Sequence, residues 1–202
     1  MLIVCLYVDD LIYTRNDVAM LEKFKQSMMF EFNMSDLGKV HYFLRLEVVQ
    51  SPFGICISQR KYVQDVLMRF QMSECNSVST PAEFGLKLHK DQKGKKVDST
   101  LYKQIVGSLM YITTTRPDIM HFVSLISRYM ENPTKMHLLA VKRIFRYLQG
   151  TKNYGLFYKN VVKSDFVGFT DSDYAGDIDD RKSTSGHVFM LSSQVVSWSS
   201  KK

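Results

Sequence analysis

The stretch Leu2-Ile3-Val4-Cys5-Leu6-Tyr7-Val8-Asp9-Asp10-Leu11-Ile12-Tyr13 sets two aliphatic runs around a pair of adjacent aspartates. Runs rich in β-branched and aromatic side chains, broken by two charged residues, predict strand, tight turn, strand. Such a hairpin carries both carboxylates at its tip. Neighbouring strand residues face opposite ways, so at most one of them points squarely at a ligand unless the turn brings the second round. Two carboxylates that close repel each other, and a hard divalent cation relieves the repulsion. Magnesium takes one or two protein carboxylates and completes its shell with water and phosphate oxygens, as in a two-metal phosphoryl-transfer site. Tyr-x-Asp-Asp also describes a plain solvated turn, and average composition yields it in about one chain in fifty of this length. The motif alone leaves both readings open.

Outward from the hairpin, Asn16 or Asp17 caps a helix to about Phe32, with Val18, Leu21, Phe24, Met28 and Met29 on one face. Residues 40–49 and 54–57, separated by Ser51-Pro52-Phe53, predict a second hairpin. A helix over 60–70 follows, with Tyr62, Val66 and Leu67 on its apolar side. Residues 80–99 hold Gly85, Gly94 and five lysines with no apolar period, which reads as a connector. Helical patterns then cover 101–114, 118–130 and 133–148, with Pro117 and Pro133 at their boundaries and Gly150 in the C-terminal capping position. Strand patterns close the chain at 156–158, 166–170, 187–191 and 195–198.

The 202 residues are 45% apolar and 23% charged, ordinary values for one good domain or two small ones, and they argue against disorder. The longest apolar run, 1–8, is far short of the roughly 20 residues of a bilayer span. No cations precede it, so membrane and secretory readings drop out. Cys5, Cys56 and Cys75 fall at no metal-ligand spacing and predict a reducing intracellular compartment, cytoplasmic or nuclear. The net charge of +7 suits a polyanionic partner. Residues 135–163 hold seven cations (Lys135, Lys142, Arg143, Arg146, Lys152, Lys159, Lys163) and no acid. On a helical wheel Lys135, Lys142 and Arg146 share one face, opposite Met136, Ala140, Val141, Ile144 and Leu148. That stripe is either a solvated face or a nucleic-acid backbone contact. Residues 171–180 reverse the balance, with five acids and no cation.

The short motifs, taken in order, resemble the reverse transcriptase of Ty1/copia-type retrotransposons over essentially the whole chain. Their carriers are Tyr7-Val8-Asp9-Asp10, Met34-Ser35-Asp36-Leu37-Gly38, Tyr42-Phe43-Leu44, Ser79-Thr80-Pro81 and Val106-Gly107-Ser108-Leu109. Thr115-Arg116-Pro117-Asp118-Ile119, Ser127-Arg128-Tyr129-Met130, His137 with Ala140, and Arg146-Tyr147-Leu148 follow. Thr170-Asp171-Ser172-Asp173-Tyr174-Ala175-Gly176-Asp177, Lys182-Ser183-Thr184-Ser185-Gly186 and Ser197-Trp198-Ser199-Ser200-Lys201 complete them.

The resemblance implies an α+β chain: a partial polymerase palm of β-hairpins and helices over 1–79, a basic linker over 80–100, a helical thumb-like segment over 101–150, and the first strands of a ribonuclease H-like sheet over 151–202. It implies that Asp9 and Asp10 bind Mg2+ or Mn2+, that the strand 42–48, with Leu44 and Arg45, is a primer grip, and that Asp171 is the first ribonuclease H metal acid. Gly107 is implied to lie against the template–primer minor groove, or else to be a helix-packing glycine. Lys135, Lys142, Arg143 and Arg146 are implied to contact nucleic acid. Asp173, Asp177, Asp179 and Asp180 read as a solvated acidic turn. Implied partners are an RNA template, an RNA/DNA hybrid, deoxynucleotides and the rest of a Pol polyprotein. The family pattern needs a third palm carboxylate, nucleotide-binding fingers and a second ribonuclease H acid, none of which lies in 1–202, and it has glycine where Arg15 and Arg45 stand. The expectation is part of an RNA-directed DNA polymerase, inactive alone; the alternative is a non-enzymatic nucleic-acid-binding or interaction protein derived from the same element.

Overall fold

The computed structural model describes residues 1–15, 17–160 and 165–202, and it divides into two compact units, Met1–His41 and Tyr42–Lys202. Asn16, the alternative cap, and Lys163, the last cation of the basic run, lie outside the described residues. The fold is α+β, with small antiparallel sheets and five α-helices among the described residues.

In the first unit β1 (Leu2–Tyr7) pairs antiparallel with β2 (Asp10–Arg15), Tyr7 facing Asp10, so Val8 and Asp9 form the turn. Helix α1 (Val18–Phe32) begins where the Asp17 carboxylate accepts the N–H groups of Ala19 and Met20, at 2.9 and 3.4 Å. It stops at Asn33, whose φ of +51° is left-handed and breaks the helix. The Tyr13 ring meets Phe24 edge-on at 5.4 Å. None of the described residues here is buried; Phe30 and Leu37 are 86% and 89% exposed. A two-stranded hairpin with one helix is marginal by itself, and this unit has no core of its own.

The second unit opens with an antiparallel sheet in the order β3 (Tyr42–Phe43), β4 (Leu46–Ser51), β5 (Gly54–Ser58), β6 (Gly155–Lys159). Two expectations change here. The single strand expected over 42–48 is broken at Leu44 and Arg45, which both take left-handed φ, +47° and +62°, in a two-residue turn. Tertiary contacts hold the turn against local preference: Tyr111 donates its hydroxyl to the Leu44 carbonyl, and the Arg45 guanidinium lies 5.1 Å over the Tyr62 ring. The strand expected to open the C-terminal block is β6, and it pairs with β5 instead. Glycines permit that approach. A Cβ on Gly54 would stand 2.2 Å from the Tyr158 carbonyl oxygen, and one on Gly155 2.4 Å from that of Ile57.

The core belongs to the helices α2 (Arg60–Arg69), α3 (Ser99–Ile112), α4 (Met120–Ser127) and α5 (Lys135–Gly150). Tyr102, Val106, Leu109 and Ile112 recur at three- and four-residue spacing on α3 and are fully buried against Val66, Ile126 and Leu148. The connector adds Leu88, 4% exposed, to this cluster. Gly150 is the last helical residue rather than a left-handed cap; the cap is Thr151, at φ −126°. Close packing explains the glycine, because a Cβ there would lie 2.9 Å from that of Ser77.

A three-stranded antiparallel sheet, β7 (Phe166–Ser172), β8 (Ser185–Leu191) and β9 (Gln194–Lys201), ends the chain. Trp198 ties it to the end of α3 through an Nε1–H bond of 2.9 Å to the Thr113 carbonyl. Among the described residues, no helix is long and apolar enough to cross a membrane.

Candidate functional site

Asp9 sits in the hairpin turn and Asp10 opens β2, and both are exposed. Their neighbour Val8 has φ +52°, a conformation that a β-branched side chain adopts only under strain, of order 1–3 kcal/mol. The donor set suits magnesium in type, since two adjacent carboxylates offer hard oxygen ligands and open water around them. Its number is short of a closed cage: among the described residues, no group of three or more His, Cys, Asp or Glu comes together to hold a metal ion.

Of the residues expected near a primer, Leu44 and Arg45 form the β3–β4 turn described above, and Arg45 is spent on the Tyr62 ring. Gly107 lies on an exposed face of α3, and a Cβ there would meet nothing within 4 Å. Packing inside this chain therefore does not require that glycine.

The basic run of α5 divides. Lys135 and Lys142 are exposed, whereas Arg146 donates its Nε–H to the Asn76 carbonyl at 2.8 Å. Arg143 reaches Glu83 at 3.2 Å and the Thr80 hydroxyl at 3.0 Å. Arg143 fastens the connector to the helix, and Arg146 fastens the segment just before it. A wheel shows which residues share a face and not what covers it.

Asp171 is exposed in β7, opposite Gly186. It lines a cavity of about 340 Å³ with His121, Phe169, Asp173, His187 and Trp198, bounded by α4 and the sheet β7–β9. The acidic turn beyond it is not simply solvated. Asp177 is 7% exposed, pairs with Arg128 at 3.2 Å and with the Lys202 ammonium, and accepts the Asp179 N–H at 2.8 Å. Burial opposes its ionisation, but Lys202 and the backbone N–H groups hold it down to about 2. Asp179 accepts the Lys90 N–H through both oxygens, at 3.0 and 2.8 Å. Asp173 accepts from the N–H of Thr184 at 3.0 Å and of Gly176 at 3.1 Å. These carboxylates dock the turn on α4 and the connector.

Two buried polar groups went unread in the sequence. Arg116 is 2% exposed inside a cage of partners from α5 and the turn before α4. His137 is fully buried, at the third position of α5. Its Nδ1 accepts the Thr134 N–H at 3.0 Å, so the proton sits on Nε2 and is donated to the His89 carbonyl at 3.0 Å. The signal for it was present: Thr-x-x-His is a capping box with histidine in place of glutamate.

Residues 1–84 match the family described as reverse transcriptase (RNA-dependent DNA polymerase). Over 97% of its length the chain is 42% identical to the retrovirus-related Pol polyprotein from transposon RE1 of Arabidopsis thaliana, covering 13% of that protein. It is 41% identical over 99% of its length to the corresponding polyprotein from transposon TNT 1-94 of Nicotiana tabacum, covering 16% of it. The chain thus spans less than a fifth of the length of either polyprotein. An uncharacterized mitochondrial protein of Arabidopsis thaliana is 37% identical and is covered over 82% of its length. No solved structure matches.

Proposed function

This chain belongs to the reverse transcriptase family of Ty1/copia-type retrotransposon Pol polyproteins, and from that membership we propose that it is a working part of an RNA-directed DNA polymerase. The observation that carries the proposal is the exposed Asp9-Asp10 pair at the tip of the β1–β2 hairpin. Asp9 and Asp10 would hold Mg2+ or Mn2+. When bound, the metal neutralises charge on the attacking primer 3′-hydroxyl and on the leaving pyrophosphate. The remaining carboxylate and the nucleotide-binding residues come from elsewhere in the polyprotein. The open face around Gly107 would admit the backbone of a template–primer, and the Leu44–Arg45 turn would be the primer contact. The sheet β7–β9 forms the start of a ribonuclease H-like domain acting on the RNA/DNA hybrid, with Asp171 as its first metal acid. Three unpaired cysteines fit a reducing cytoplasmic or nuclear compartment.

Primer extension on an RNA template tests this reading. Residues 1–202 alone are expected not to extend the primer with either metal, while a longer polypeptide carrying the upstream palm does so. Asp9→Asn or Asp10→Asn in the longer protein should lower extension by about 10³. Full activity of either variant would exclude the pair as metal ligands.

A further inference from the structure

Strand β3 is only two residues long, and local preference does not hold the turn that follows it. Leu44 and Arg45 take left-handed φ in succession, a pairing that hairpin turns normally assign to asparagine and glycine. Backbone held in such regions persists only where the surrounding structure over-determines it, and it collects at sites of function.

Two helices supply the restraint. From the end of α3, Tyr111 donates its hydroxyl to the Leu44 carbonyl. From the first turn of α2, Tyr62 is buried and carries the Arg45 guanidinium 5.1 Å over its ring. The two tyrosines meet edge to face, with ring centroids 5.2 Å apart, so each steadies the other. Beside Tyr62, the Lys61 ammonium lies 5.6 Å over the ring of Tyr42, where β3 begins. Across the hairpin Glu47, paired with Tyr42, accepts the Ser58 hydroxyl at 3.3 Å. These contacts add little to the core, because Leu44 and Arg45 both stay exposed. What they fix is the conformation of one surface turn. Gly107 precedes Tyr111 by four residues on the same side of α3, so the turn is fastened next to the helix face that stays open.

We propose, resting on the polymerase reading above, that Tyr111 is a positioning residue: its hydroxyl, backed by the Tyr62 ring, holds the Leu44–Arg45 turn in the conformation that aligns the primer 3′ end for attack. Tyr111 acts through the Leu44 carbonyl and not on the reacting atoms. Loss of the hydroxyl alone keeps both rings packed and frees the turn, so it costs alignment of the primer rather than affinity for the nucleotide.

The test pairs two measurements on Tyr111→Phe. In the full chain, amide hydrogen exchange over residues 43–47 should quicken about fivefold, with α2 and α3 unchanged. In the longer polypeptide carrying the upstream palm, single-turnover addition of one nucleotide to a bound primer should slow about tenfold. The nucleotide KM and the reaction amplitude should stay as in the wild type. A merely structural loss would lower the amplitude, which counts active molecules, and spare the rate constant. Arg45→Gly added to Tyr111→Phe should restore most of the rate constant, because glycine takes left-handed φ without help. Unchanged exchange or a wild-type rate constant in Tyr111→Phe, or no restoration by the glycine, overturns the role of Tyr111 and leaves the polymerase reading intact. No extension by the unaltered longer polypeptide overturns both.

Discussion

Arg116 grips both carboxylate oxygens of Asp118, two residues along the chain, with Nε at 2.9 Å and Nη2 at 2.6 Å. Nη1 and Nη2 also reach the carbonyl and hydroxyl of Thr151, at 2.9 and 2.7 Å, and Tyr147 donates its hydroxyl to Asp118 at 2.8 Å. The rings of Tyr147 and Tyr154 lie 5.5 and 5.3 Å from the guanidinium. A charge so deeply buried is tolerable because every side of it is compensated. The cluster fastens the turn before α4 to the end of α5, on which the helical core depends.

Arg116→Ala is therefore expected to lower the unfolding free energy by about 3–5 kcal/mol, since Asp118 and Thr151 lose their partner together. Arg116→Lys should recover only a small part, because an ammonium cannot serve two oxygens and a carbonyl in one plane. Urea denaturation measures both. A cost below about 1 kcal/mol for the alanine variant would show that the cluster is not under the load described here.

Gly107→Ala should stabilise the chain by about 1 kcal/mol, because a mid-helix glycine is replaced where the added methyl meets open space. The same variant should weaken hybrid binding if a nucleic-acid backbone approaches that face. Thermal unfolding and binding are read side by side. Destabilisation would mean that the glycine is needed for the helix itself.

Arg146→Gln is expected to act on stability and not on nucleic acid. It loses the 2.8 Å bond to the Asn76 carbonyl, at a cost of about 1 kcal/mol, and leaves the salt slope of hybrid binding unchanged. A slope flatter by about one unit with unaltered stability would return Arg146 to the binding face.

Stability should fall as pH drops, in two windows. Burial lowers the affinity of His137 for a proton below the ordinary histidine value of 6.5, outweighing the hydrogen bond to the His89 carbonyl and the Asp91 and Asp179 carboxylates, which pull the other way. The unfolded chain takes up that proton first, so the contribution is complete above about pH 6.5 and is lost as pH falls below it. His121 acts in the same direction, mainly through burial and Arg128. Asp177 works lower down: its contribution, on the order of 2 kcal/mol, is present above 3.8 and disappears as pH falls to about 2. Urea midpoints between pH 8 and 5 should decline for the wild type. His137→Gln keeps a capping-box acceptor without titrating and should decline less. Parallel curves would exclude His137 as the source.

Features that depend on residues a few positions apart were legible in the sequence alone. The hairpin itself (though with its turn one residue earlier than the aspartate pair, at Val8-Asp9), the Asp17 cap, and the apolar faces of α2 and α3 all follow from local period and local hydrogen bonding. The order of the motifs likewise carried the family. What joins distant segments was decided only by tertiary packing: β6 adding to β5 past two glycines, and Leu44 and Arg45 held left-handed by Tyr111 and Tyr62. The same holds for Arg143 turned to the connector and Arg146 to the Asn76 carbonyl, Asp177 buried between Arg128 and Lys202, and Lys95 brought beside Lys135. A charged side chain looks the same in sequence whether it ends in water or on a carbonyl seventy residues away. Its desolvation and its partner come into being together, when the core closes around them.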